Sequence, residues 1–79
     1  MVRAYICLKV EPGKEGKVAE SLVKISGIAE AAWTYGFCDI LLKVDVGSVE
    51  DLNDMVFHKV RAIEGVHDTQ TIIVSEYLL

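Results

Sequence analysis

Ile28-Ala29-Glu30-Ala31-Ala32-Trp33-Thr34-Tyr35-Gly36-Phe37-Cys38-Asp39-Ile40-Leu41-Leu42-Lys43-Val44-Asp45-Val46 reads as two strands joined by a turn. Ile28 to Tyr35 is an alanine-rich strand carrying Trp33, and Gly36 breaks it. Cys38, Ile40, Leu42, Val44 and Val46 then alternate with Asp39, Leu41, Lys43 and Asp45, the period-2 signature of a second strand. A link this short predicts that the two strands lie antiparallel. Upstream, Val18, Leu22 and Ile25 recur at helical spacing, with Gly27 placed to stop the helix. Pro12 suits the first helical turn, where its missing N–H costs nothing. Before it, Val2, Ala4, Ile6, Leu8 and Val10 alternate with Arg3, Tyr5, Cys7 and Lys9. Downstream, Ser48 is a candidate N-cap with Asp51 three residues on. Val49, Leu52, Val56, Val60 and Ile63 form one helical stripe, widened by Met55 and Phe57, and Gly65 ends it. A last strand is expected from about Val66 to Tyr77.

The order is strand–helix–strand twice over, which predicts an α+β, ferredoxin-like βαββαβ fold. Its four-stranded antiparallel sheet carries two helices on one face, and its first and third strands are central. The even-numbered face of each central strand is expected against the helices. The opposite face carries Tyr5, Cys7 and Leu41, with Ile73 and either Trp33 or Ala32. With 79 residues, 1–79 is read as a single domain, and 52% hydrophobic content is more than so small a monomer readily hides. The apolar second face is therefore expected to pair with a second copy, sheet on sheet, as a dimeric α+β barrel.

Eight Lys and Arg against twelve Asp and Glu give a net charge of −4. That balance disfavours direct nucleic-acid binding and contact with an anionic membrane. Apolar runs such as Ile40-Leu41-Leu42 are too short to span a bilayer. No secretory signal precedes the first strand, so a cytoplasmic location is expected. Two cysteines without a framework of spacings agree with that. Cys7 and Cys38 fall on opposite faces by strand parity, so a disulfide between them is not expected and both read as small packing residues. His58 reads as a solvated helix residue, and His67 as either an ordinary strand opener or part of a pocket at a subunit boundary. Glu50, Asp51 and Asp54 suit the helix dipole. No catalytic set, metal-ligand pair or cofactor motif is present.

Two segments stand out: Thr34-Tyr35-Gly36-Phe37-Cys38-Asp39, and Gly65-Val66-His67-Asp68-Thr69-Gln70-Thr71 with its apolar tail Ile72-Ile73-Val74. By local chemistry alone they are a glycine turn braced by Asp39 and an ordinary threonine-bearing strand. Their order and spacing, however, resemble the effector-binding domain of the leucine-responsive/asparagine (Lrp/AsnC) transcriptional regulators along essentially the whole chain. The resemblance implies a sheet-to-sheet dimer, four dimers in an octameric ring, and a small effector, usually an amino acid, held between dimers. It implies effector contacts at Tyr35, Gly36, Phe37, Asp39, Thr69 and Thr71, with no catalytic residue, metal or cofactor. The residue before the aspartate, usually aromatic in that family, is Cys38 here, with Phe37 one place earlier. No helix-turn-helix precedes the first strand, so the chain resembles the stand-alone version. Its expected partners are copies of itself and possible full-length Lrp/AsnC-type regulators, not DNA.

A second reading of the same element order is a small dimeric α+β-barrel enzyme of monooxygenase or isomerase type. It requires a cavity within each subunit, lined by His67, Trp33 or Tyr5. A third is an assembly module without a ligand.

Overall fold

The computed structural model describes residues 1–79. Its elements are β1 (Val2–Val10), α1 (Glu15–Leu22), β2 (Ile28–Trp33), β3 (Ile40–Val46), α2 (Val49–Asp54), a π-helical continuation of α2 (Met55–Val60) and β4 (Val66–Ile73). The strands form one antiparallel sheet in the order β2-β3-β1-β4, so β1 and β3 are central as their alternation predicts.

Parity sorts the sheet into two faces. Ala4, Ile6, Leu8 and Val10 of β1, with Ile40, Leu42 and Val44 of β3, are buried against Val18 and Leu22 of α1 and Leu52, Met55, Val56 and Val60 of the second helix. This is the expected ferredoxin-like core. Ser48 caps α2 as read, its Oγ accepting the Asp51 N–H at 3.1 Å. The second helix is not uniform. Arg61 N–H reaches back to the Val56 carbonyl at 2.9 Å, an i→i+5 bond. The wider turn brings Leu52, Val56 and Val60 to one face, while Val49 and Phe57, expected in the stripe, are about half exposed.

Two local expectations are corrected and one open alternative is decided. Pro12 is not in a helical turn: Glu11-Pro12-Gly13-Lys14 closes as a β-turn, with Lys14 N–H on the Glu11 carbonyl at 3.0 Å, and α1 starts at Glu15. The outer face carries Ile72 rather than Ile73, because Tyr5 pairs with Ile72 and Ala4 with Ile73. Ala32, opposite Leu41, joins that face, whereas Trp33, opposite Ile40, lies on the helix side.

The largest correction concerns the cysteines. Cys7 and Cys38 form a disulfide across 31 residues of sequence, with Cα atoms 5.4 Å apart. Strand parity misassigned Cys38 because β3 begins only at Ile40. Cys38 belongs to the loop, where alternation does not apply, and the loop brings it to the outer side of β1 beside Cys7.

Candidate functional site

The loop between β2 and β3 is tied to the end of β1. Thr34 N–H donates to the Asp39 carbonyl at 3.0 Å, and Thr34 Oγ1 donates to the Cys38 carbonyl at 2.8 Å, closing the loop on itself. Asp39 N–H donates to the Leu8 carbonyl at 2.8 Å. The β1–β3 pairing runs no further than Leu8 opposite Ile40, and beyond it the Asp39 carboxylate takes over, Oδ2 accepting the Val10 N–H at 2.8 Å. Such a charge-assisted bond is among the stronger ones a turn can make. The Cys7–Cys38 bond is a further tie on the outer side. Gly36, at the tip, has φ +110° and open space where a Cβ would stand. Backbone conformation, not room, calls for glycine there. Tyr35 is fully exposed and Phe37 is two-thirds exposed on either side of it.

Thr69 and Thr71 lie on β4, on the other flank of β1. Thr69 pairs with Leu8 and Thr71 with Ile6. Asp39 and Thr69 are thus both anchored at Leu8, on its two sides, two strand spacings or about 10 Å apart. Thr69 is half-buried and Thr71 is exposed. The hairpin and the start of β4 therefore sit at one end of the sheet, but Asp39 and the threonines do not touch within one chain.

Beside Thr69 is a polar recess of about 360 Å³ lined by Arg61, Val66, His67, Asp68 and Thr69. His67 stands second in β4 and is exposed along this recess. Arg61 stacks its guanidinium 5.1 Å from the centre of the Phe57 ring, which explains how that exposed aromatic is partnered. Asp68 Oδ1 accepts the Thr69 N–H at 2.9 Å and fixes the start of the strand. Arg61 had no motif to announce it, since its placement follows from the π-helical turn. His58 is exposed, as read, with Nε2 3.9 Å from Asp54 Oδ1.

The residues required by the enzyme reading do not converge. Trp33 lines a separate apolar recess of about 120 Å³ between α1 and β2, with Leu22, Val23 and Ile40 among its neighbours. His67 lines the polar recess. Tyr5 is on the outer face, where hydrogen bonding to Tyr77 and then the charge of that neighbouring phenol raise its pKa above the usual tyrosine value. Arg3 reinforces this corner, its guanidinium 5.6 Å from the Tyr77 ring centre.

The outer face itself is apolar along its middle, with Tyr5, Cys7, Leu41, Ile72 and Ala32. Ion pairs flank it, Arg3 to Asp45 at 3.2 Å and Lys43 to Glu30 at 3.8 Å.

A four-stranded antiparallel sheet with helices on one face, a glycine hairpin and a threonine-bearing edge strand at one end make this a ferredoxin-like α+β domain. The Lrp/AsnC ligand-binding domain model matches residues 3–78. The chain belongs to that family. It is 40% identical over 73 residues to the HTH-type transcriptional regulator FL11 of Pyrococcus furiosus, covering 92% of this chain and 48% of FL11. The chain thus spans about half the length of that full regulator. The crystal structure of FFRP-DM1 superposes with a TM-score of 0.88 at 32% identity, covering 94% of this chain and 99% of that one. A transcriptional regulator of Neisseria meningitidis, solved in complex with L-methionine, superposes with a TM-score of 0.90 at 20% identity, covering 99% of this chain and 52% of that one. At that identity the likeness establishes the fold alone.

Proposed function

We propose that this chain is a cytoplasmic, non-enzymatic amino-acid sensor that works as an assembly. Two copies pair through their outer sheet faces. Dimers join into an octamer of four, and the effector sits where the hairpin of one dimer meets the start of β4 of the next. The observation that carries the reading is that two family segments, Thr34–Asp39 and Val66–Thr71, converge on one end of the sheet with Asp39 and Thr69 on opposite flanks of Leu8, about two strand spacings apart. A site split in this way is completed by a neighbour. In it the Gly36 turn offers main-chain groups between Tyr35 and Phe37. The Asp39 carboxylate, which spends one oxygen on Val10, has acceptor capacity left for an ammonium. Thr69 and Thr71 offer hydroxyls. Regulation follows by co-assembly with full-length regulators of the family, because a net charge of −4 gives the chain no attraction to a phosphate backbone of its own.

The energetics are undemanding. A micromolar-to-millimolar metabolite needs about 4–8 kcal/mol. Two or three charge-assisted hydrogen bonds at about 1.5–3 kcal/mol each, with one buried aliphatic group, reach that after association losses. Equilibrium dialysis against each of the twenty amino acids tests the reading. At least one should bind in that range with near one site per chain. Absence of binding by all twenty refutes it.

A further inference from the structure

We infer that Cys7 and Cys38 form a thiol–disulfide couple that sets the order of the Thr34–Asp39 hairpin, and through it effector affinity; the second half of this rests on the function proposed above. Three observations lead to it. First, the bond joins unlike elements: Cys7 is 5% exposed on a central strand, whereas Cys38 is half-buried in a loop whose tip is wholly exposed. Breaking it removes a tie from the loop but none from the sheet. Second, the ladder that holds β1 to β3 runs from Val2–Val46 to Leu8–Ile40, independent of the disulfide, so the fold survives its loss. Third, Cys38 immediately precedes Asp39, whose two bonds to β1, at the Leu8 carbonyl and the Val10 N–H, are the loop's other anchor. The disulfide therefore bears on the one carboxylate of the proposed site.

The chemistry balances with a dithiol as reductant. Its thiolate attacks Sγ of Cys38, the more exposed of the two residues, the Cys7–Cys38 bond breaks, and Cys7 leaves as a thiolate that takes a proton. The second thiol of the reductant then closes its own disulfide and releases Cys38, which takes the second proton. Two electrons pass to the protein and the dithiol is oxidised. The reverse reaction, with a disulfide-bearing oxidant, restores the tie.

The test is amide hydrogen exchange on the whole chain, oxidised and after dithiothreitol, with amino-acid binding measured in both states. Reduction should speed exchange at Thr34 and Asp39, the loop residues whose N–H groups are bonded, by at least about tenfold while the β1–β3 ladder stays protected, and reoxidation should reverse it. The dissociation constant for whichever of the twenty amino acids binds should rise about tenfold, since an ordered loop has less left to lose on binding. Cys38→Ala should behave as the reduced protein and ignore dithiothreitol. Equal hairpin exchange in both states overturns the inference. So does loss of all protection on reduction, which would make the bond a staple of the fold. If the hairpin responds but neither state binds any amino acid, the effector reading fails and the redox control of the loop stands.

Discussion

Replacing Asp39 with asparagine separates its two roles, because the amide keeps the shape and an acceptor oxygen while losing the charge. In the fold the carboxylate does one thing: Oδ2 accepts the N–H of Val10 at 2.8 Å, past the point where β1 and β3 cease to pair. A hydrogen bond to a charged group contributes about 1.5–3 kcal/mol and a neutral one about 0.5–1.5, so Asp39→Asn should cost about 1 kcal/mol. For a domain of this size that is a fall in Tm of about 4–8 °C. Asp39→Ala deletes the acceptor beside a buried residue and should cost about 1–3 kcal/mol. Binding is predicted to respond differently. If the carboxylate meets an effector ammonium, Asp39→Asn should weaken binding about ten- to a hundredfold, roughly 1.5–3 kcal/mol, with the oligomer intact. Melting followed by circular dichroism and titration calorimetry on the same samples read the two effects. A lower Tm with unchanged affinity would make Asp39 a turn brace only and refute the assignment.

Gly65→Ala should destabilise by about 2–4 kcal/mol on backbone strain and overpacking together. Gly65 has φ +103°, and a Cβ there would stand 2.6 Å from Lys14 Cβ and 3.0 Å from Val18 Cγ2; an unchanged melting curve would contradict that close approach. Reducing the disulfide, which closes a loop across 31 residues, should cost about 3–4 kcal/mol by the chain-entropy estimate and lower Tm without unfolding the domain at 25 °C. A reductant-insensitive Tm would show that the bond does not form in solution. Leu41→Arg, in the middle of the outer face beside Cys7 and Ala32, should dissociate the sheet-to-sheet dimer at micromolar concentration in light scattering. An intact dimer would place the interface elsewhere.

Much of the architecture was legible because it rests on parity. The alternations in β1 and β3 assign Ile6, Leu8, Leu42 and Val44 to the helix face, and two strand–helix–strand units leave little choice of topology. Ser48 was legible because capping is local. What escaped depends on where alternation stops. Cys38 was given a face by counting back from Ile40 into residues that are loop, and the disulfide was missed in consequence. Ile72 and Ile73 exchanged faces because register across β1 and β4 is a tertiary property, and a one-residue slip turns every side chain over. The widened turn after Asp54 was not legible either. It exposes Phe57 and brings Arg61 to the recess beside Thr69. In the candidate site, the Gly36 turn and the Thr69–Thr71 strand were visible as segments. The tether from Asp39 to Val10 was not, since it crosses 29 residues of sequence.

The central claim is that the assembled domain recognises an amino acid. A thermal-shift measurement on the oxidised wild-type protein, with each of the twenty amino acids in turn, tests it most directly, because a ligand that binds only the native state must stabilise it. At a concentration a hundredfold above its dissociation constant an effector adds about 2.7 kcal/mol, and the account predicts at least one amino acid that raises Tm by roughly 10–20 °C. That shift should shrink in Asp39→Asn. Twenty unshifted melting curves would contradict the account and leave the chain an assembly module without an amino-acid effector.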